Sequence, residues 1–298
     1  MTLKLLIDYA KSKRTKIFIT FVDFSKAYDK VPRASLIQLL RVMGCGSLMV
    51  TAIATLYADT RFILGLATIV ACIGVRQGSP TSCFLFTLYV NDIIRDLKAK
   101  CGNDGYLQWL HSLLLMDDTI LLSTSREMCT RKATILAEFC NRSGMVINQG
   151  KTMFMVINGS DADKVAMTIG DLKIQNCDSY VYLGATFTQD GKVATAVDEQ
   201  CKSKQCHLWK YLAFVLKNID FPLWIKKKVL EAALLSAILY SCETWLYNGY
   251  LLAENMYITA IKAMLGVRKS SPNYICLLEI GLPTLKQRIR STQKKIHQ

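Results

Sequence analysis

The chain has 298 residues, 51% of them hydrophobic and 20% charged, with a mean hydropathy of +0.23. That length is enough to bury a full core in one large domain or two modest ones, and the composition excludes intrinsic disorder and coiled coil. Its 37 Lys and Arg against 23 Asp and Glu give a formal net charge of +14, which points to a polyanionic partner, either nucleic acid or an anionic membrane surface. The excess is uneven: residues 201–298 hold 15 basic and 5 acidic side chains, whereas residues 1–200 hold 22 and 18. A nearly neutral body followed by a basic module is the organisation this predicts.

In chain order, 3–12 predicts a short helix, and Asp8, close behind a short apolar run, argues against a signal peptide. The run IFITFVDF at 17–24 predicts a strand that is apolar on both faces and therefore central in its sheet. Asp23 ends that strand, where an ionised carboxylate is costly unless it is paired, hydrogen-bonded or bound to a metal. Helices are expected at 33–43 and 47–58. The longest apolar stretch, 62–75, falls short of the roughly 20 residues a membrane-spanning helix needs and predicts one or two buried strands. Ser79-Pro80 opens a helix with proline at its first position, buried over 83–90 and emerging into solvent over 91–100.

The segment LLLMDDTILL reads as a hairpin with Asp117 and Asp118 at its tip. Taken alone, those acids are ordinary turn residues. A helix follows at 126–142, a turn at 148–150 and a strand at 151–157. Two short strands are expected within 165–174 and a further strand at 180–187. The remainder predicts helices at 192–217, 222–246 and 250–265, the second carrying a stripe of Leu230, Leu234, Ala237, Ser241 and Trp245. Eleven cysteines with no CxxC spacing predict reduced, mostly buried thiols in an intracellular protein rather than a zinc site.

If the strand ending at Asp23 and the Asp117–Asp118 hairpin are neighbours, three carboxylates converge at one sheet edge. Like charges that close call for shifted pKa values or bound cations, and hard divalent cations take carboxylate oxygens. Two such ions with a basic tail make a coherent site for phosphoryl transfer on nucleic acid.

Five strings carry a family resemblance. FVDFSKAYDKVPR at 21–33 resembles motif A of the reverse transcriptases of non-LTR (LINE-type) retrotransposons, GVRQGSPTSCFLF at 74–86 resembles motif B, and LLLMDDTILL resembles motif C. SGMVINQGKTMFM at 143–155 resembles motif D, and YVYLGATF at 180–187 the YLG segment that follows. The tail, with LYSCETW and MLGVRKSSPN, resembles the thumb and connecting region of the same elements. The resemblance implies an α+β fold: a polymerase palm over 1–190, with a small antiparallel sheet packed on helices, then an all-helical, basic, thumb-like module over 191–298.

It also implies roles. Asp23, Asp117 and Asp118 would hold two Mg²⁺ ions, with Mn²⁺ as an alternative, for transfer of a nucleotide from a dNTP to a primer 3′-hydroxyl. Phe24, Tyr28, Arg76, Gln77 and Gly78 would line the nucleotide site, Tyr28 stacking beneath the sugar and excluding a 2′-hydroxyl. Lys151 would serve as an acid near the departing pyrophosphate. Tyr182, Leu183 and Gly184 would place the primer end, and Lys226, Lys227 and Lys228 would contact nucleic acid. RNA template, DNA primer and dNTPs are the implied partners, without a membrane, in the nucleus or cytoplasm.

Two departures weigh on activity. Leu115 stands where the family has Tyr or Phe, and only 22 residues precede Asp23, where a fingers region is expected. A catalytically silent remnant that keeps the fold and binds nucleic acid is therefore the alternative to an active polymerase. A two-metal nuclease accommodates the acids but not the motif B string.

Overall fold

The computed structural model describes residues 1–58, 60–76, 78–245 and 250–296. The chain divides into two compact units, one of residues 10–177 and one of residues 1–9 with 178–298. The division implied by the resemblance falls later, after residue 190. In the structure, the last two strands form a two-stranded sheet of their own.

The chain opens with α1 (Thr2–Lys13), which leads into β1 (Ile17–Val22). Every residue of β1 is buried. It is an inner strand of a six-stranded sheet whose remaining members are β4 (Ser112–Leu115), β5 (Asp118–Ser123), β6 (Met153–Ile157), β7 (Met167–Ile169) and β8 (Leu172–Asn176), in the order β4-β5-β1-β6-β8-β7. All neighbours pair antiparallel except β6 and β8, which run parallel. The sheet is thus mixed rather than purely antiparallel.

Helix α6 (Arg126–Ser143) begins at Ser125, whose hydroxyl accepts the Met128 amide at 3.2 Å, and ends at Gly144 with φ +70°. One face of α6 packs on the sheet: Cys129 and Ala133 share a cluster with Phe18, Phe154 and Val156. Its buried Lys132 donates to the Asp104 carboxylate and to the Leu122 carbonyl, each at 2.5 Å. Helices α2 (Arg33–Val42), α3 (Ser47–Ala58), α4 (Pro80–Val90) and α5 (Asp92–Cys101) complete the larger unit, with Pro80 at the first turn of α4 as expected. Phe84 departs from the expectation of an all-buried helix: it is well exposed.

The apolar segment 62–75 also departs. It forms an isolated two-stranded ribbon, β2 (Arg61–Leu64) and β3 (Ala67–Val70). Every residue of β3 is exposed, and burial returns only at Gly74 and Val75. Neither strand joins the six-stranded sheet.

In the second unit, β9 (Ser179–Tyr182) and β10 (Ala185–Thr188) form a tight hairpin where one strand was expected. The chain continues as α7 (Val193–Ser203), α8 (Gln205–Lys217), α9 (Leu223–Val229), a π-helical stretch (Leu230–Leu235), α10 (Ser236–Ile238), α11 (Leu251–Leu265), α12 (Asn273–Ile280) and α13 (Leu285–Ile296). The helix expected over 192–217 is broken at Lys204. The one expected over 222–246 stops at Ile238, so Ser241, at φ +63°, leaves the stripe. Leu230, Leu234, Ile238, Tyr257, Ile261 and Ile289 form the core of this unit. Among the described residues, no helix is long and apolar enough to cross a membrane.

Candidate active site

The acids meet because β1 and β5 are neighbours. Val22 pairs with Thr119 and Phe21 with Ile120, so continuing the antiparallel register by one step sets Asp118 level with Asp23. Leu115 pairs with Asp118 and closes a two-residue turn, Met116-Asp117. Met116 occupies the left-handed region at φ +57°, a conformation that costs a non-glycine residue roughly 1 kcal/mol. The hairpin tip is exposed rather than buried, with Asp117 and Asp118 open to solvent and Asp23 half-buried.

The Asp118 carboxyl senses the other two. The Asp118 carboxyl is pushed up from the ordinary carboxylate range by partial loss of solvent, then by the negative charges of Asp117 and Asp23. Such mutual repulsion is the electrostatic condition in which a hard cation is welcome, and an all-carboxylate donor set suits Mg²⁺ by chemistry. Among the described residues, however, no three acidic, histidine or cysteine side chains are gathered closely enough to clasp an ion in this conformation.

The backbone of Asp23 is pinned from the motif D turn. Its amide donates to the Thr152 hydroxyl at 3.2 Å, and its carbonyl accepts the Asn148 amide at 2.8 Å and the Thr152 hydroxyl at 3.4 Å. Thr152 is buried, and neither it nor Asn148 was singled out in the sequence, where they look like ordinary turn residues. Lys151, between them, is exposed.

Tyr28 follows in a 3₁₀ turn (Ala27–Lys30) whose entry residue, Lys26, sits at φ +51°. Its ring stacks on Phe86 of α4 with centroids 4.8 Å apart, and its hydroxyl donates to the Cys83 sulfur at 3.7 Å. The phenol is raised to about 12, chiefly by burial, then by Cys83 and by the charge of Asp117. It therefore stays neutral at any working pH, an uncharged wall within electrostatic reach of the acids.

Motifs A and B are stitched together. Gly74 donates its amide to the Val31 carbonyl and Val75 to the Tyr28 carbonyl, both at 2.8 Å. Arg33 donates to the carbonyls of Gly74 at 2.9 Å, Tyr57 at 2.8 Å and Ala71 at 2.5 Å. Arg76 donates to the Leu56 carbonyl at 2.9 Å, and both arginines lie over the Tyr57 ring, at 5.2 and 5.9 Å. Gly78 has φ +82° with open space where a Cβ would stand, whereas Gln77 lies outside the described residues. Arg33 and Tyr57 were missed because their roles depend on a long-range contact.

Two expected site residues are corrected. Phe24 is buried, its backbone in a β-bridge with Ile147 and its side chain packed in the hydrophobic core, so its ring offers no surface to a substrate. Lys226 is buried, its ammonium donating to the Ile219 carbonyl at 2.8 Å, so it cannot grip a phosphate. Lys228 is exposed and Lys227 half-exposed. In the same unit, Leu183 and Gly184 form the two-residue turn between β9 and β10 at φ +50° and +78°, with Tyr182 paired to Ala185 across it.

Comparison with known proteins follows the same residues. A family model described as reverse transcriptase (RNA-dependent DNA polymerase) matches residues 1–187. The chain is 24% identical over 203 residues to the retrovirus-related Pol polyprotein from type-2 retrotransposable element R2DM of Drosophila melanogaster, covering 63% of this chain and 19% of that protein. It is 25% identical over 211 residues to the Pol polyprotein from the R2 element of Nasonia vitripennis, covering 66% and 21%. It thus spans about a fifth of the length of these relatives. Telomerase from Candida albicans, solved with a fragment of telomeric RNA, aligns over 95% of this chain and 53% of its own at 15% identity and a TM-score of 0.45, too loose to carry an argument. The matched span, well over half of the sequence, contains all three acids, the Tyr28 turn and the motif B segment: this chain belongs to the reverse transcriptase family.

Proposed function

We propose that this chain is the palm and thumb-like part of an RNA-directed DNA polymerase of a non-LTR retrotransposon, with residues 1–190 as palm and 191–298 as thumb. It would transfer a nucleotide from a dNTP to the 3′-hydroxyl of a DNA primer on an RNA template. The observation that carries this reading is the β1–β5 register, which sets Asp118 level with Asp23 and leaves Asp117 in the adjoining turn. The setting is intracellular, in nucleus or cytoplasm, as for the elements the chain resembles.

Asp23 and Asp117, with Asp118 alongside, are the residues that would hold two divalent cations. When bound, Mg²⁺ or Mn²⁺ supplies activation of the attacking hydroxyl and neutralisation of the leaving oxygen. The chain's own groups do the rest. The pinned backbone of Asp23 keeps its carboxylate at the strand end. The neutral Tyr28 ring, braced by Phe86, forms the floor beneath the sugar and leaves no room for a 2′-hydroxyl. Arg76 and Gly78 line the nucleotide site, and Lys151 delivers a proton to the pyrophosphate as the bond to the α-phosphorus breaks.

Primer extension on an RNA template tests the reading. A ladder of dNMP additions that requires Mg²⁺ and disappears in Asp117→Ala is expected. No Mg²⁺-dependent product from the folded wild-type chain sinks the proposal.

A further inference from the structure

The YLG segment is held by Tyr240, from the LYSCETW stretch. Leu183 and Gly184 both adopt left-handed backbone conformations, φ +50° and +78°, which is what a two-residue hairpin turn needs and what a leucine resists. The Tyr240 hydroxyl donates to the Leu183 carbonyl at 2.9 Å. The Tyr240 ring also closes on the turn from the side. A Cβ added to Gly184 would stand 2.7 Å from Cε1, 3.2 Å from Cζ and 3.4 Å from Cδ1 of that ring. Glycine is therefore required at 184 twice over, once by φ and once by Tyr240.

Tyr240 is itself placed with some care. The helical run ends at Ile238, and Ser241 turns back at φ +63°, which swings Tyr240 out of the helix. Its carbonyl accepts the side-chain amide of the buried Gln200 at 3.1 Å. A tyrosine that served only to fill a core would be buried, yet Tyr240 is 50% exposed. The contacts of its side chain named above run to the turn.

We propose that Tyr240 is a positioning residue that holds the Leu183–Gly184 turn in the shape that sets the primer end. This rests on the reading of Tyr182, Leu183 and Gly184 as the primer-positioning element. The role is structural in means and kinetic in effect: the hydroxyl fixes the carbonyl, the ring fixes the glycine, and the turn presents one conformation rather than several.

The test uses the full chain with Tyr240→Phe, which keeps the ring and removes the hydroxyl, alongside Gly184→Ala and the Tyr240→Ala/Gly184→Ala pair. Amide hydrogen exchange at 183–186 should quicken about fivefold in Tyr240→Phe, the effect of one lost hydrogen bond on local opening, with exchange in β1 and β5 unchanged. In primer extension, Tyr240→Phe should raise the KM for primer–template severalfold and leave the KM for dNTP as in wild type. Gly184→Ala should lose more activity in the presence of Tyr240 than in the Tyr240→Ala background. Unchanged exchange at the turn overturns the inference, as does an unchanged primer KM in a chain whose wild type extends primers. A wild type that extends no primer at all overturns the polymerase reading and, with it, the functional half of this inference. The exchange arm still decides whether Tyr240 holds the turn.

Discussion

Replacing Gly74 by alanine strikes the seam between motifs A and B. At φ +85° an alanine carries a left-handed penalty of roughly 1 kcal/mol, less a small gain from a stiffer unfolded chain. Its Cβ would also stand 3.0 Å from the Asp29 Cα, 3.1 Å from the Asp29 carbonyl oxygen and 3.2 Å from that of Tyr28. Carbon–carbon contact is most favourable near 3.5–4.0 Å, and these neighbours are backbone, so no side chain can swing away. Relief requires the two segments to part, at the expense of the Gly74–Val31, Val75–Tyr28 and Arg33–Gly74 hydrogen bonds, each worth about 1 kcal/mol net. Overpacking of this kind costs about 1–3 kcal/mol, giving a total near 3 kcal/mol.

Gly44 is the built-in control, with φ +80° and nothing within 4 Å of its would-be Cβ. Gly44→Ala should cost only the backbone term, about 1 kcal/mol. Urea unfolding of both variants, with melting as a check, measures the difference directly; about 2 kcal/mol corresponds to several degrees in Tm. Gly74→Ala within about 0.5 kcal/mol of Gly44→Ala refutes a tightly packed seam between the two motifs.

Lys132→Met strands the Asp104 carboxylate, which is buried and otherwise served by the Thr124 amide and hydroxyl; a loss of about 3–5 kcal/mol is expected by urea unfolding, largely recovered in a Lys132→Met/Asp104→Asn double variant. Met116→Gly should relieve the strained hairpin turn, raising stability by about 1 kcal/mol in thermal melts, because the exposed Met116 gives up little burial. In RNA-binding titrations against salt, Lys228→Ala should shallow the log–log slope by roughly 0.7–0.9, whereas Lys226→Ala should leave the slope alone and lower the melting temperature.

Much of the sheet was legible from local pattern. The run at 17–24 is apolar on both faces, and only a central strand buries both, so β1 and Asp23 at its end follow from residues alone. The Asp117–Asp118 hairpin and the Ser79-Pro80 helix start are equally local. What the pattern misses depends on partners far along the chain. The segment 62–75 is as apolar as a core strand, but its ribbon pairs only with itself. The breaks at Lys204 and after Ile238 carry no glycine or proline, so helical spacing runs straight through them. Lys226 reads like its neighbours Lys227 and Lys228 until the Ile219 carbonyl takes its ammonium. Thr152, Arg33 and Tyr57 hold the site through contacts that spacing does not encode.

The β1–β5 register brings Asp23, Asp117 and Asp118 to one sheet end, and on the proposed reading these acids close on a divalent cation when it binds. Thermal melting against Mg²⁺, with Mn²⁺ binding followed in parallel, tests it without requiring turnover. At ten times the dissociation constant a bound ion adds about 1.4 kcal/mol, a shift of several degrees. Without metal, partial burial and then the charges of Asp117 and Asp23 disfavour the charged form of the Asp118 carboxyl, so Asp118→Asn should melt higher than wild type. The account predicts Mg²⁺-dependent stabilisation of wild type that Asp117→Asn abolishes. Equal Mg²⁺ response in wild type and Asp117→Asn, or none in either, contradicts it.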